Sequence, residues 1–586
     1  MRIMLEKSDR RVPEPASPIA PDCRGTNFYE IDAGLKQLLD LYVEPALRDH
    51  LEPHFERLGG LAGGRLDELA AIADKHPPRL HPRDRYGRDE DWIEYHPAYR
   101  EMERIGFGDF QFHAMSHRGV LGLDRPLPPV AKYVFQYLFV QAEFGLMCPI
   151  SVTDTSIHLI RKFGGEDLKT LLLPRMLAAD PAQLWKGTQF ITEQAGGSDV
   201  GAIETIARRE DQAWRLFGEK WFCSHADADV ALLLARPEGA PAGTAGLALF
   251  ALPRRLADGR RNRYRIVRLK DKLGTRSMAS GEILLEGALA YPVGSLANGF
   301  KQMLDQVNLS RLSHGVRAAA MMRRCLNEAL LAARGRRAFG ARVVDYPLMR
   351  RQLMKLMVPA EQALSMFLFA ADAMGRAQAG SREAEQLLRL LTPLLKFRAC
   401  RDNIAVATGA MEARGGNGYI EDWITARLVR DAHIGVLWEG TSNIVALDAV
   451  GRAVGKAGAH RALAQRMSER LAAADALPAG LRQNLGAAFD RAVALAETVA
   501  RDPAEEFSRK AASALYHAAS AGLLAWEGVQ DHRDARRVLL SRMVLEHRLG
   551  VEDPLAHETA AWERQAIDFL LAQAPVPLRQ VHAVLA

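Results

Sequence analysis

Apolar residues recur with the helical period through the first third of the chain. Asp32 to Leu47 and Val130 to Leu146 form amphipathic runs that predict helices, and Leu171 to Leu177 predicts another with Pro174 as punctuation. Between them, Lys75 to Gly87 carries three prolines and many charges and reads as a loop. From about Gly187 to Gly294 the texture changes to short apolar or alternating runs between turn signals. Ala213 to Phe217, Ala231 to Ala235, Leu247 to Leu252 and Tyr264 to Leu269 each predict a strand of a compact sheet or barrel. Helical periodicity returns from Gly299 to about Val454, where Ile444, Leu447, Val450 and Val454 share one face. An Ala- and Leu-rich helical stretch follows. The expected class is α+β, in four parts. These are an N-terminal helical domain over 1–186, a middle β-domain over 187–294, a C-terminal helical bundle over 295–455 and an extra helical extension over 456–586. No internal repeat is visible, and the βαβ alternation of a Rossmann fold is absent.

Composition narrows the function classes. At 586 residues, 25% charged and 48% apolar, the chain reads as an ordinary globular protein of two to four domains. The richest apolar run, Tyr137 to Ile150, is broken by Gln141, Glu143 and Pro149, so no membrane span is expected. Charges occupy the N-terminus where a secretion signal would need an apolar core. The five cysteines lie far apart without metal-ligand spacing, which predicts reduced cytoplasmic thiols and no metal site. The net charge of +6 is unevenly placed. Arg254 to Arg276 holds ten basic residues against two Asp, whereas 451–586 is balanced at seventeen basic to sixteen acidic. Only the first segment is a candidate phosphate-tracking patch, and a solvated ribbon of arginines explains it equally well.

Five segments carry chemistry. Arg414-Gly415-Gly416-Asn417-Gly418 brings backbone amides close to a ligand, since no Cβ stands in the way; alone, such a run is usually a turn. About twenty residues later, Trp438-Glu439-Gly440-Thr441 sets a lone carboxylate just ahead of a helical segment, as a general base or as a carboxylate favoured by a helix start. Thr192-Glu-Gln-Ala-Gly-Gly-Ser-Asp199 offers two hydroxyls and a glycine pair able to form an anion-binding concavity, or is a polar loop ahead of a strand. Lys220-Trp-Phe-Cys-Ser224 pairs aromatics with a hydroxyl, as a wall for a flat ring or as core packing. Arg336-Arg-Ala-Phe-Gly340 adds charge for a pyrophosphate and a stacking surface.

Taken together and in this order, these motifs resemble those of the acyl-CoA dehydrogenase family of flavoproteins. Thr192–Asp199 looks like its TEPGAGSD signature, Lys220–Ser224 like KxWITN, Arg336–Gly340 like RxxFG, and Trp438–Thr441 like YEGT. Within the family, Arg85–Arg88, Glu94–Pro97, Cys148–Ile150, Arg268–Gly274 and Met321–Arg324 look like the AidB-like branch, which has a long N-terminal portion and a C-terminal helical extension. The match runs from about Asn27 to Asp448.

The resemblance implies FAD as cofactor. Thr192 and Ser198 are expected near the flavin ring and the phosphates, and Phe222, Cys223 and Ser224 along the isoalloxazine, with Ser224 beside N5. Arg336 and Phe339 are expected to reach the FAD of a neighbouring subunit, which requires a homo-oligomer, in this family a tetramer. Gly415 and Gly416 are expected beside the pyrophosphate or adenosine, and Asn443 completes the cofactor site. Glu439 is the implied catalytic base. It removes the α-proton of an acyl-CoA thioester while a hydride leaves the β-carbon for the flavin, giving a 2-enoyl thioester. Arg311 is the implied substrate contact.

Some positions depart from the family pattern. Phe222 replaces the usual Trp, Glu412 stands where many members have Gln, and Asn308 where several place an acidic residue. These bear on substrate identity more than on FAD. Glu rather than Asp at 439 disfavours nitroalkane oxidation. Two other readings remain open: a flavoprotein that binds or protects DNA under alkylation stress, and an acyl-group sensor without turnover.

Overall fold

The computed structural model describes residues 19–501, 504–551, 555 and 561–585. Residues 1–18, on which the reading of the N-terminus rests, lie outside them. The chain divides into two compact units, one made of residues 1–64, 129–141 and 314–586, the other of 65–128 and 142–313.

The second unit is built on a seven-stranded sheet. Its strands are β3 (Gly187–Phe190), β4 (Ile206–Glu210), β5 (Ala213–Ser224), β6 (Val230–Pro237), β7 (Ala248–Pro253), β8 (Tyr264–Leu269) and β9 (Ser280–Pro292). They run in the order β3-β6-β4-β5-β9-β7, with β8 beside β9. A further β6–β7 pairing closes β6, β4, β5, β9 and β7 into a ring, with β3 and β8 left as edge strands beside β6 and β9. β6 and β7 read as unbroken apolar runs because both faces are covered: Leu232, Leu234, Leu249 and Ala251 pack with Ile157, Ile160 and Leu172 of the flanking helices. The predicted strand region is therefore present.

The expected loop over Lys75 to Gly87 is corrected by the structure. Arg79–Arg83 (β1) pairs antiparallel with Asp89–Glu94 (β2) in a two-stranded ribbon. A register shift between His81 and Arg83 accommodates Pro82, which cannot donate to a ladder. Charged residues on a mostly exposed ribbon carry no apolar alternation, so the strand signal was hidden.

The first unit is helical. The single run read over Asp32 to Leu47 is two helices, Ala33–Tyr42 and Pro45–Gly63. Asp32 caps the first by accepting from Leu35 N at 2.9 Å. Glu44, held extended by the following proline, caps the second by accepting from Ala46 N and Leu47 N at 3.0 Å each. The core is formed by Pro347–Gln378, Arg382–Arg414 and Ser508–Gln530 together with the later part of Gly299–Gly335. Pro347–Gln378 is long and apolar enough to span a membrane by composition, against the expectation of no such run. Its apolar window is 94% buried, as befits a core helix.

The extension is tied into this unit by a chain of buried charges. Arg537 donates to Glu361 at 2.7 Å and to Glu527 at 3.0 Å. Arg323 donates to Glu361 at 2.5 Å and pairs with Asp32 at 3.2 Å. Tyr42 and Ser365 donate to Glu527 at 3.1 and 2.6 Å. Burial alone would raise the Glu361 pKa, but Arg323 and Arg537 together hold it below the usual carboxylate range.

Candidate functional site

In the second unit, the Thr192–Asp199 segment is a tight turn fixed by its own backbone. Glu193 N donates to Gly196 O at 2.9 Å, and Gly196 N returns to Glu193 O at 3.3 Å. A Cβ on Gly196 would fall 2.7 Å from Asp199 O, so this turn needs glycine there, whereas Gly197 is open apart from the Thr192 methyl. Thr192 is half-buried and Ser198 exposed. The turn is stitched to β5 by Trp221 N, which donates to Thr192 O at 2.8 Å.

β5 changes register against β9 between Lys220 and Cys223. This bulge turns Phe222 outward, leaving it 58% exposed, before Cys223 and Ser224 pair regularly with Gly281 and Ser280. Lys270 Nζ lies 3.2 Å from the centre of the Trp221 ring and holds its place in the bulge. Cys223 is buried, and burial pushes its thiol well above the ordinary range, so it is inert packing rather than a nucleophile. Ser224 is anchored through its carbonyl, which accepts from Thr188 Oγ1 at 2.6 Å. Arg311, also of this unit, is buried, with Nη1 3.5 Å from Asn308 Oδ1.

In the first unit, Gly415 ends the Arg382–Arg414 helix with φ +76°, and a Cβ there would meet Arg336 Nη1 at 2.8 Å. The structure thus brings Arg336 and Gly415 together, while Gly416 has nothing within 4 Å of its would-be side chain. Phe339 and Gly340, φ +50° and +84°, form the two-residue turn between the paired Arg337–Ala338 and Ala341–Arg342. The turn is pinned by Tyr346 Oη, which donates to Ala338 O at 2.7 Å, and it presents Phe339 at 97% exposure.

Glu439 is half-buried and has φ +56°, in the left-handed region. Gly440 follows at φ +99°, and the next helix begins only at Ser442. The carboxylate therefore stands just ahead of that helix, two residues before its cap Thr441. Lys396, buried in the Arg382–Arg414 helix, donates to Gly440 O at 2.5 Å. The Trp438 ring meets His314 edge-on with centroids 5.3 Å apart. Asn443 is exposed on the first turn of the Ser442–Leu447 helix.

The sequence reading missed Lys396 as a support for the turn. Its signal was a lone charge inside the apolar run Leu394-Leu395-Lys396-Phe397. The features present fit a dinucleotide. In the second unit they are open glycine backbone at 197 and an exposed aromatic near a hydroxyl on β5; in the first unit, separately, they are a guanidinium over Gly415 and open backbone at Gly416.

Comparison with known proteins gives three domain matches. Residues 19–180 match the adaptive response protein AidB N-terminal domain, 188–288 the acyl-CoA dehydrogenase middle domain and 297–455 the acyl-CoA dehydrogenase C-terminal domain. The chain is 31% identical over 458 residues to AidB of Escherichia coli (77% of this chain, 80% of the relative). It is 30% identical over 462 residues to acyl-CoA dehydrogenase family member 11 of Caenorhabditis elegans (76% and 73%). The crystal structure of C. elegans ACDH-11 in complex with C11-CoA is similar at TM-score 0.85 and 26% identity, covering 93% of this chain and 95% of that one.

Proposed function

Because the chain belongs to the acyl-CoA dehydrogenase family of FAD-binding flavoproteins, in its AidB-like branch, we propose that it dehydrogenates an acyl-CoA thioester with Glu439 as the base. The observation that carries this reading is the backbone of Glu439. A non-glycine residue in the left-handed region costs on the order of 1 kcal/mol or more, and such strain gathers where geometry serves chemistry. Lys396 on Gly440 O and His314 against Trp438 keep the turn in that form.

Glu439 removes the α-proton, and its own N–H polarises the thioester carbonyl. Trp438 shields the carboxylate from water, and Arg311 contributes on the substrate side. FAD, when bound, supplies the acceptor for the hydride leaving the β-carbon, so that the substrate is oxidised to a 2-enoyl thioester and the flavin reduced. In the second unit Thr192, Ser198, Phe222 and Ser224 hold the cofactor, with Cys223 contributing backbone only; in the first unit Gly415, Gly416 and Asn443 are cofactor contacts by the same resemblance. Arg336 and the outward Phe339 serve the cofactor of a neighbouring subunit in a homotetramer. The C11-CoA complex of the C. elegans protein supports an acyl-CoA as ligand. Five buried free thiols accord with a cytoplasmic setting.

The test is anaerobic mixing of the yellow protein with acyl-CoAs of graded chain length, following loss of flavin absorbance. Bleaching that is lost in Glu439→Gln supports the reading; no bleaching with any chain length overturns it.

The second reading, a flavoprotein acting on DNA in the alkylation response, rests on the AidB-like resemblance and calls for a basic surface on the extension, where seventeen basic residues are matched by sixteen acidic ones; the candidate patch elsewhere is the basic segment 254–276. Within that segment Arg260 pairs with Asp258, Arg261 with Asp91, Arg265 with Glu286, and both Arg268 and Lys270 with Glu282. Much of its charge is thus compensated, which favours the dehydrogenase reading. A duplex-binding affinity that falls steeply with salt would favour DNA instead.

A further inference from the structure

The two cofactor-facing segments of the second unit share a buried ion pair that itself faces no ligand. Glu193 and Lys220 meet at 2.5 Å with side-chain exposures of 4% and 0%. The carboxylate also accepts from Glu204 N at 2.6 Å, from Thr205 N at 3.2 Å and from Thr205 Oγ1 at 2.5 Å. Lys220 donates in addition to Leu234 O at 2.8 Å. Both charges are therefore well supplied with partners, as a buried pair must be.

Stability alone gives little reason for such a pair, since apolar residues of similar volume commonly do as well in a core. What the pair fixes is a spacing. The backbone of Glu193 closes the Thr192–Ser198 turn, and Lys220 immediately precedes the bulge that presents Phe222. Beside the ion pair, the two segments are joined by one main-chain hydrogen bond, Trp221 N to Thr192 O, and by an exposed side-chain one, Gln194 Nε2 to Glu219 Oε2 at 3.3 Å. One buried main-chain hydrogen bond and one solvent-exposed side-chain bond permit hinging; adding a buried ion pair one residue away from the main-chain bond on each side removes that freedom.

We infer that Glu193 and Lys220 are positioning residues for FAD. They lock the turn that takes the ring at Thr192 and the phosphates at Ser198 onto the strand end that lines the ring, and so set the distance between those two grips. Lys220, wholly enclosed, acts only through Trp221 to Ser224, and Glu193 only through the turn.

The experiment follows release of FAD from the holoprotein on dilution, by the rise in flavin fluorescence, together with the visible circular dichroism of the bound flavin and the melting temperature. Four forms are compared: wild type, Glu193→Gln, Thr205→Val and the double variant Glu193→Gln/Lys220→Met. The expected result is FAD binding weakened on the order of 10- to 100-fold in Glu193→Gln, because one buried charge loses its counter-charge. A smaller loss, roughly 3- to 10-fold, is expected in Thr205→Val, where one hydroxyl is removed. The double variant, free of buried charge, is expected to regain the melting temperature while its FAD affinity and flavin dichroism stay altered. Wild-type affinity and dichroism in Thr205→Val and in the double variant would overturn the inference and leave the pair a packing feature. Should Glu193→Gln fail to accumulate, those two forms decide.

Discussion

Replacing Arg537 by Met should loosen the extension from the rest of the first unit by an amount that the ion-pair chain sets. The guanidinium is 4% exposed and serves Glu361, Glu527 and Ser365. After the change, Glu361 keeps Arg323, but Glu527, at 0% exposure, keeps only the hydroxyls of Ser365 and Tyr42. Removing one partner of a buried pair costs about 3–5 kcal/mol, and two surviving neutral hydrogen bonds place the loss near the lower end of that range. For a unit of several hundred residues this corresponds to roughly 3–6 °C in melting temperature. Acid sensitivity should move with it. Glu361 now has a depressed pKa, so its contribution is present above the unfolded value near 4.3 and is lost as pH falls through the folded one. Without Arg537 that depression shrinks, and acid unfolding should begin at higher pH. The assay is thermal unfolding at several pH values, with Arg537→Met/Glu527→Gln beside the single variant. The double variant should recover a large part of the loss. A single variant within about 1 kcal/mol of wild type, or a double variant no better than the single, would refute the reasoning.

Three further outcomes are expected. His113 is fully enclosed with neither ring nitrogen bonded, and burial lowers its pKa to about 3; His113→Phe should therefore flatten the loss of stability as pH falls from about 6.5 toward 3, a window in which each such histidine costs up to about 1.4 kcal/mol per pH unit, read by denaturant melts at stepped pH. Gly415→Ala should destabilise by about 1–2 kcal/mol and weaken FAD retention, because it strains a φ of +76° and pushes on Arg336; thermal melts and flavin release check both. Lys396→Met should lower kcat by roughly tenfold or more with FAD content unchanged, since it frees the Gly440 carbonyl and with it the Glu439 turn; steady-state kinetics at measured flavin occupancy tests this.

Much of the fold was legible because its signals are local. Periodicity marks the helical regions, and short apolar runs mark β6 and β7, whose faces are both covered. The ribbon of β1 and β2 was not legible, because its residues are charged and mostly exposed and so carry no alternation. The break at Glu44 was written in the sequence as a carboxylate before a proline, but the apolar period runs through it. The site motifs could be recognised, whereas their supports could not. Glu193 and Lys220 sit inside recognised motifs, yet their pairing spans 27 positions. Lys396 and Gly440 are 44 apart. The left-handed backbone of Glu439 follows from three-dimensional restraint rather than from residue type.

The bulge at Trp221 and Phe222 has a consequence for how this protein can change. Because β5 shifts register against β9 there, pairing before the bulge and pairing after it are set separately. An insertion, deletion or slip upstream, among Trp214 to Glu219, can be taken up at the bulge without turning Cys223 and Ser224 over. The cofactor wall is thereby insulated from changes of register in the earlier half of its own strand, which is itself held by β4 and β9 on its two sides.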